Sequence, residues 1–132
     1  MKGLDTNIIL RLFDRTNEEQ SRAVEQLLED EGGSRNFLLN PVVLSEFAWT
    51  LERRYKKPRA VIADYMDSIL RAPEFEVTFA DEASEAVRLY RNGPADFADY
   101  LLAAMNKSSG CTTTLTFDED AAKSEHFLLL KV

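Results

Sequence analysis

The chain begins with MKGLDTNIILRLF, residues 1–13, and this stretch decides the fold class. A short strand is predicted over residues 3–5, and it passes without a linker into a helix. One face of that helix carries the apolar residues Ile8, Ile9, Leu12 and Phe13. A strand that leads directly into a helix is typical of α/β proteins, so the rest of the chain is expected to alternate in the same way.

The alternation continues to the end of the chain. Further strands are predicted over residues 37–39, 75–79, 111–115 and 127–131. Helices are predicted around Ala23, Leu27 and Leu28, over 41–55, from Val61 to about Leu70, and over 81–90 and 96–108. Such short apolar strands between helices favour a mainly parallel sheet that is covered on both faces. Binding sites in such sheets form beyond the carboxyl ends of the strands.

Composition narrows the class of protein further. A chain of 132 residues with 45% hydrophobic content suits one globular domain, residues 1–132. No apolar stretch reaches the length of a membrane span, and the single cysteine, Cys111, excludes an internal disulfide, so the cytoplasm is the expected location. The net charge of −7 is unusual for a nucleic-acid-binding protein unless several acids converge on a metal site.

Four aspartates lie where predicted strands end or helices begin. Asp5 lies where the first strand gives way to the first helix, Asp118 follows the strand over 111–115, and Asp96 and Asp99 are one turn apart at the start of a helix. Each has an ordinary alternative role. Asp5 suits an N-cap, Asp96 and Asp99 suit a capping box, and Asp118 suits a solvated turn or cap.

Glu46 lies within the predicted helix over 41–55. Val42, Val43 and Trp49 are three or four positions away, which places the carboxylate on an apolar helical face. A buried carboxylate needs a metal, a proton or an ion-pair partner, such as an arginine from another helix. Trp49 is expected to pack in the core or at a dimer interface.

The five acids together predict a cation site at one edge of the sheet. Two carboxylates about 4 Å apart repel each other by about 4 kcal/mol at an effective dielectric constant of about 20. A ligand set that contains only oxygen favours Mg²⁺ or Mn²⁺. The single His126 and single Cys111 are too few for a structural zinc site.

Four sequence motifs resemble those of PIN-domain proteins, and in detail those of VapC-type toxins from toxin–antitoxin pairs. The first motif is residues 4–10, LDTNIIL. The second is residues 41–46, PVVLSE, followed by Trp49. The third and fourth are residues 95–104, ADFADYLLAA, and residues 116–118, TFD. In this order the motifs extend over essentially the whole chain.

The resemblance implies a three-layer α/β/α PIN-like domain with Mg²⁺- or Mn²⁺-dependent endoribonuclease activity. It also implies a homodimer that a VapB-type antitoxin inhibits. By position, Asp5 and Asp99 would be the main metal ligands, Glu46 and Asp96 would complete the acidic pocket, and Asp118 would be a direct or water-mediated ligand. Thr6, Asn7 and Thr116 would orient the carboxylates or the reacting water through hydrogen bonds.

RNA binding requires positive charge, and the densest source is the segment around Arg53, Arg54, Lys56 and Lys57. A solvated helix end is an equally good explanation of this segment. A catalytically silent PIN-like module that binds RNA or protein is the main alternative function. A phospho-acceptor receiver domain would need an acid beside Asp5, and a haloacid-dehalogenase phosphatase would need an aspartate in place of Asn7.

Overall fold

The computed structural model describes residues 1–132 as one alternating series of strands and helices. The elements are β1 (Lys2–Gly3), α1 (Thr6–Phe13), α2 (Glu18–Glu31), β2 (Phe37–Leu39), α3 (Pro41–Arg53), α4 (Arg59–Arg71), β3 (Phe75–Val77), α5 (Ala80–Asn92), α6 (Phe97–Ser108), β4 (Thr114–Thr116), a 3₁₀ turn (Ala121–Lys123) and β5 (Phe127–Leu129). All strand pairs are parallel. The predicted α/β/α class with a short, parallel central sheet is confirmed.

The strands form two hydrogen-bonded sheets, whereas the sequence predicted a single sheet. β1, β2 and β3 form the first sheet in that order, and β4 pairs only with β5. The shortness of β1 explains the interruption. Lys2 N–H donates to Asn36 at 2.9 Å and Leu4 N–H donates to Leu38 at 3.1 Å, so both face β2. Because successive residues of a strand face opposite neighbours, only Gly3 remains for a partner on the other side.

The helices pack against one another around a core of aromatic and aliphatic side chains. The largest fully buried residues include Tyr90, Tyr100, Phe37, Phe47, Phe97, Ile9, Leu39, Leu44, Leu51, Ile62, Met66 and Ile69. Helix α3 contacts α1, α4 and α6, and α5 contacts α4 and α6. None of the helices combines the length and the apolar character that crossing a bilayer requires.

Element boundaries differ from the prediction mainly around Cys111. The strand predicted over 111–115 begins only at Thr114. Gly110 has a φ of +98°, and Cys111 N–H still bonds to the Asn106 carbonyl at 3.0 Å, so the chain is completing the end of α6 at this point. Cys111 is consequently exposed and does not lie within a strand.

Candidate active site

Asp5 and Thr6 lie at the turn from β1 into α1. Asp5 is an exposed N-cap residue whose Oδ1 accepts a hydrogen bond from Thr6 N–H at 2.7 Å. The Thr6 side chain is buried, and its Oγ1 donates to Glu46 Oε1 at 3.3 Å. Two of the predicted site acids therefore hydrogen bond to the same threonine, which connects the start of α1 to α3. Asn7 is exposed.

Glu46 lies on the exposed face of α3, so the prediction that it occupies a buried apolar stripe is wrong. Val42 and Trp49 are 65% and 56% exposed, and Trp49 does not pack in the core. The stripe that α3 buries is a different one, formed by Val43, Leu44, Phe47, Ala48 and Leu51. A carboxylate on the exposed face needs no buried partner, and a cation or substrate can reach it from solvent.

Asp96 and Asp99 form the predicted acidic turn at the start of α6. Asp96 is the N-cap residue, and Asp99 is the third residue of the helix. Asp99 Oδ2 accepts a hydrogen bond from Asp96 N–H at 3.3 Å, as in a capping box. The ordinary capping role is thus present, and it engages one of the two carboxylate oxygens of Asp99.

Asp99 also lies close enough to a third acid to interact with its charge. Burial raises the pKa of the Asp99 carboxyl above its ordinary value, and the negative charges of Asp96 and Asp118 raise it further. The hydrogen bond from Asp96 N–H acts in the opposite direction and lowers the pKa. Asp118 belongs to the loop after β4, which is distant in sequence. The charges of two separate segments of the chain therefore both act on the Asp99 carboxyl.

Asp118 and Thr116 organise the loop that follows β4. Thr116 Oγ1 accepts a hydrogen bond from Asp118 N–H at 3.0 Å. Asp118 Oδ1 in turn accepts from Asp120 N–H at 2.8 Å and from Ala121 N–H at 3.2 Å, which caps the 3₁₀ turn. Asp118 thus has the capping role that was its ordinary alternative, and Thr116 orients its backbone.

The five acids form two groups in this structure. Thr6 connects Asp5 with Glu46, while Asp99 interacts with Asp96 and Asp118. No three His, Cys, Asp or Glu side chains are close enough to form a preformed set of metal ligands. The two groups lie on adjoining elements, because α3 packs against both α1 and α6.

The donor chemistry of these residues fits a hard divalent cation. Carboxylate and hydroxyl oxygens are the ligands that Mg²⁺ and Mn²⁺ prefer. Burial is the main cause of the raised pKa of Asp99, and a bound cation would offset the smaller repulsion from Asp96 and Asp118.

The role of Arg59 was not predicted from the sequence. The Arg59 guanidinium lies over the Tyr90 ring, 4.2 Å from the ring centroid, and bonds to backbone carbonyls close to Asp96. Burial raises the pKa of Tyr90 to about 12, with smaller contributions from the charges of Glu52 and Asp96. The Tyr90 hydroxyl therefore stays neutral near pH 7. No sequence signal distinguishes Arg59 from its basic neighbours.

The four cations predicted to bind RNA lie at and beyond the end of α3. Arg53, Arg54 and Lys56 are exposed and Lys57 is half-buried. None of them takes part in an ion pair with a carboxylate. The Arg53 guanidinium lies 5.9 Å from the centroid of the exposed Trp49 ring. This segment, named here the basic end of α3, therefore offers unpaired positive charge beside an aromatic surface.

Comparison with known proteins points to one family. The family model described as "PIN domain" matches residues 3–126. A VapC ribonuclease from Aquifex aeolicus (strain VF5) is 30% identical over 119 residues, which cover 89% of this chain and 87% of that protein. All five candidate acids lie within the matched residues. The chain belongs to the PIN domain family.

Proposed function

We propose that this protein is a Mg²⁺- or Mn²⁺-dependent endoribonuclease, the toxin of a VapBC-type toxin–antitoxin module. The observation that carries the proposal is the hydrogen bonding of Asp5 and Glu46 to the same residue, Thr6, together with the acidic turn of Asp96 and Asp99 at the start of α6. Similarity to a VapC ribonuclease over most of the chain supports RNA as the substrate. The proposed site of action is the cytoplasm.

In the proposed reaction, a water oxygen attacks the phosphorus of an RNA phosphodiester. The bond from phosphorus to the 3′-oxygen breaks, which leaves a 3′-hydroxyl and a 5′-phosphate. Asp5 and Asp99 would hold the divalent cation, with Glu46, Asp96 and Asp118 contributing directly or through water. Such a cation supplies Lewis-acid stabilisation of the charge that develops on the phosphate oxygens.

Glu46 and Asp96 are the proposed acceptors of the proton that leaves the water. Glu46 is exposed and receives only one hydrogen bond, from Thr6, so it has an acceptor oxygen left for the water. Asp96 lies one turn from Asp99 at the N-terminus of α6. Thr6 would fix the rotamer of Glu46, Thr116 would fix the backbone at Asp118, and the exposed Asn7 would help to orient the water.

The proposal is tested by cleavage of a panel of structured RNAs in Mg²⁺, in Mn²⁺ and in EDTA. Asp5→Asn keeps an acceptor for Thr6 N–H but removes the charge. Asp30→Asn on α2 is the matched control, because Asp30 is exposed and lies outside the candidate site. We expect cleavage by wild type and Asp30→Asn, dependence on the cation, and a loss of at least about 100-fold in Asp5→Asn.

Two outcomes of this test would contradict the proposal. Equal cleavage by all three proteins would identify a contaminating nuclease. RNA binding without cleavage, in any cation, would favour the catalytically silent module. That alternative has a specific observation in its favour, since Asp96, Asp99 and Asp118 all serve as caps and no three candidate ligands converge in this structure.

Charge reversal at the basic end of α3 is expected to weaken RNA binding. Arg53→Glu/Arg54→Glu removes two exposed cations that no carboxylate neutralises. Each lost phosphate contact should reduce the slope of log affinity against log salt by about 1. The matched control is Arg22→Glu/Arg71→Glu, which reverses two exposed arginines on α2 and α4. Equal affinity and salt slope in both double variants, measured by fluorescence anisotropy, would remove this segment from the RNA site.

We further propose a homodimer and a VapB-type antitoxin as partners. Val42 and Trp49 on α3 and Leu115, Leu128 and Leu130 near β4 and β5 are large apolar side chains that the single chain leaves exposed. Burial of such surface is the usual driving force for association. Light scattering of the purified protein at several concentrations would reveal a dimer, and a strictly monomeric mass would contradict it.

A further inference from the structure

Arg59, the first residue of α4, binds the loop that leads into α6. Its Nη1 donates to the Tyr90 carbonyl at 3.0 Å and to the Ala95 carbonyl at 2.7 Å, and its Nη2 donates to the Pro94 carbonyl at 3.3 Å. The guanidinium also stacks on the Tyr90 ring. Arg59 forms no ion pair, so its donors serve the end of α5 and this loop, and not a carboxylate.

Tyr100 holds the same loop through the backbone of Ala95. Its buried hydroxyl accepts a hydrogen bond from Ala95 N–H at 3.3 Å. A Cβ atom added at Gly93 would lie only 1.7 Å from that hydroxyl, so the loop backbone passes directly over Tyr100. Both polar groups of Ala95 are thus bound, its N–H by Tyr100 and its carbonyl by Arg59. The next residue is Asp96, so these bonds end where the acidic turn begins.

We propose that Arg59 is a positioning residue for the acidic turn formed by Asp96 and Asp99. It fixes loop 93–95, and the loop fixes the point at which α6 begins relative to α4. This inference rests on the proposed metal-dependent nuclease function, because it concerns the placement of two of its acids. Misplacement of a catalytic group by about 1 Å can lower a rate about 100-fold.

The contacts require arginine in particular. A planar guanidinium can direct two nitrogens at three carbonyls while its face rests on Tyr90, whereas a lysine ammonium is a single point of donation. Arg59→Lys should therefore restore part of what Arg59→Met removes. An RNA-binding role would behave differently, since Arg59→Met would then mainly raise KM and lower the salt dependence of binding, and Arg59→Lys, which keeps the charge, would largely preserve both.

The test compares full-length wild type, Arg59→Met, Arg59→Lys and the control Arg91→Met. Arg91 on α5 forms ion pairs with Asp64 at 2.7 Å and Asp67 at 2.5 Å on α4, and it donates no hydrogen bond to the loop. For Arg59→Met we expect kcat to fall by about 10- to 100-fold at unchanged KM, with an intermediate value for Arg59→Lys and little change for Arg91→Met.

Amide hydrogen exchange without any metal provides a second readout. Exchange at residues 95–99 should accelerate in Arg59→Met, less in Arg59→Lys, and not in Arg91→Met. Equal kcat and equal exchange in Arg59→Met and Arg91→Met would overturn the inference, as would a change confined to KM. If Arg59→Met does not fold, the comparison of Arg59→Lys with Arg91→Met decides, by the same two measurements of kcat and hydrogen exchange. If wild type neither cleaves RNA nor binds Mn²⁺, the proposed function fails, and the exchange data alone decide whether Arg59 holds the loop.

Discussion

Asp99→Asn is expected to lower metal-dependent RNA cleavage by at least about 100-fold while leaving the protein at least as stable as wild type. The loss of activity follows because an amide carries no negative charge with which to bind a divalent cation. The amide oxygen can still accept the hydrogen bond that Asp99 Oδ2 receives from Asp96 N–H, so the start of α6 is preserved. The stability follows because burial and the charges of Asp96 and Asp118 disfavour the ionised form of Asp99.

The stability difference should depend on pH with a definite sign. The pKa of Asp99 is higher in the folded protein than its ordinary value of 3.8. Above the folded-state pKa, the ionised carboxylate destabilises the folded wild-type protein, and Asp99→Asn lacks this penalty. Well below pH 3.8, the Asp99 carboxyl is protonated in both the folded and the unfolded protein, and the penalty vanishes. Urea denaturation from pH 7 to pH 3 should therefore show the advantage of Asp99→Asn shrinking as the pH falls.

Asp30→Asn again provides the control, because it removes an exposed carboxylate outside the site. Its cleavage rate should equal that of wild type in the same preparation. Wild-type turnover in Asp99→Asn would show that Asp99 is not a main ligand. A loss of activity together with a loss of stability would instead indicate that the carboxylate is needed for the fold of the acidic turn.

The order of strands and helices could be predicted because it depends on local patterns. Buried strands such as Phe37–Leu39 are short apolar runs, and the helices show apolar residues at helical spacing. The separation into two sheets could not be predicted, because it depends on how many backbone groups of β1 remain after pairing with β2. The late start of β4 depends on the hydrogen bond from Cys111 N–H to Asn106, which composition does not reveal.

The candidate acids could be predicted because Asp5, Asp96 and Asp118 lie where strands end or helical turns begin, and these boundaries can be recognised in the sequence. Their grouping was not predictable, since it depends on tertiary contacts such as the hydrogen bond from Thr6 to Glu46. Arg59 was missed for the same reason. Its partners are backbone carbonyls at positions 90, 94 and 95, and a carbonyl carries no side-chain signature.

Helix α3 shows most clearly where periodicity is insufficient. The helix has two apolar stripes, one through Phe47 and one through Val42 and Trp49. Spacing alone assigns Glu46 to the second stripe but does not say which stripe is buried. The structure buries the first stripe, so substitution of Phe47 is expected to act mainly on stability and substitution of Glu46 mainly on activity.

Phe47→Ala should destabilise the protein by about 3–5 kcal/mol, because it empties a fully buried aromatic position. Phe47 lies 5.5 Å from Phe13 between ring centroids, so the cavity would open between α3 and α1. Most domains are stable by only about 5–15 kcal/mol, and the variant should therefore unfold at much lower urea concentration. Its loss of activity would then follow from unfolding and should be relieved under stabilising conditions.

Glu46→Gln should change the free energy of unfolding by less than about 0.5 kcal/mol, because Glu46 is exposed and glutamine can still accept the hydrogen bond from Thr6. Its cleavage rate should nevertheless fall by about 100-fold or more if Glu46 accepts the proton from the reacting water. Full activity in a stable Glu46→Gln protein would transfer that role to Asp96. Equal destabilisation by both substitutions would contradict the exposed position of Glu46, and with it the proposal that a carboxylate on this face of α3 reaches the substrate.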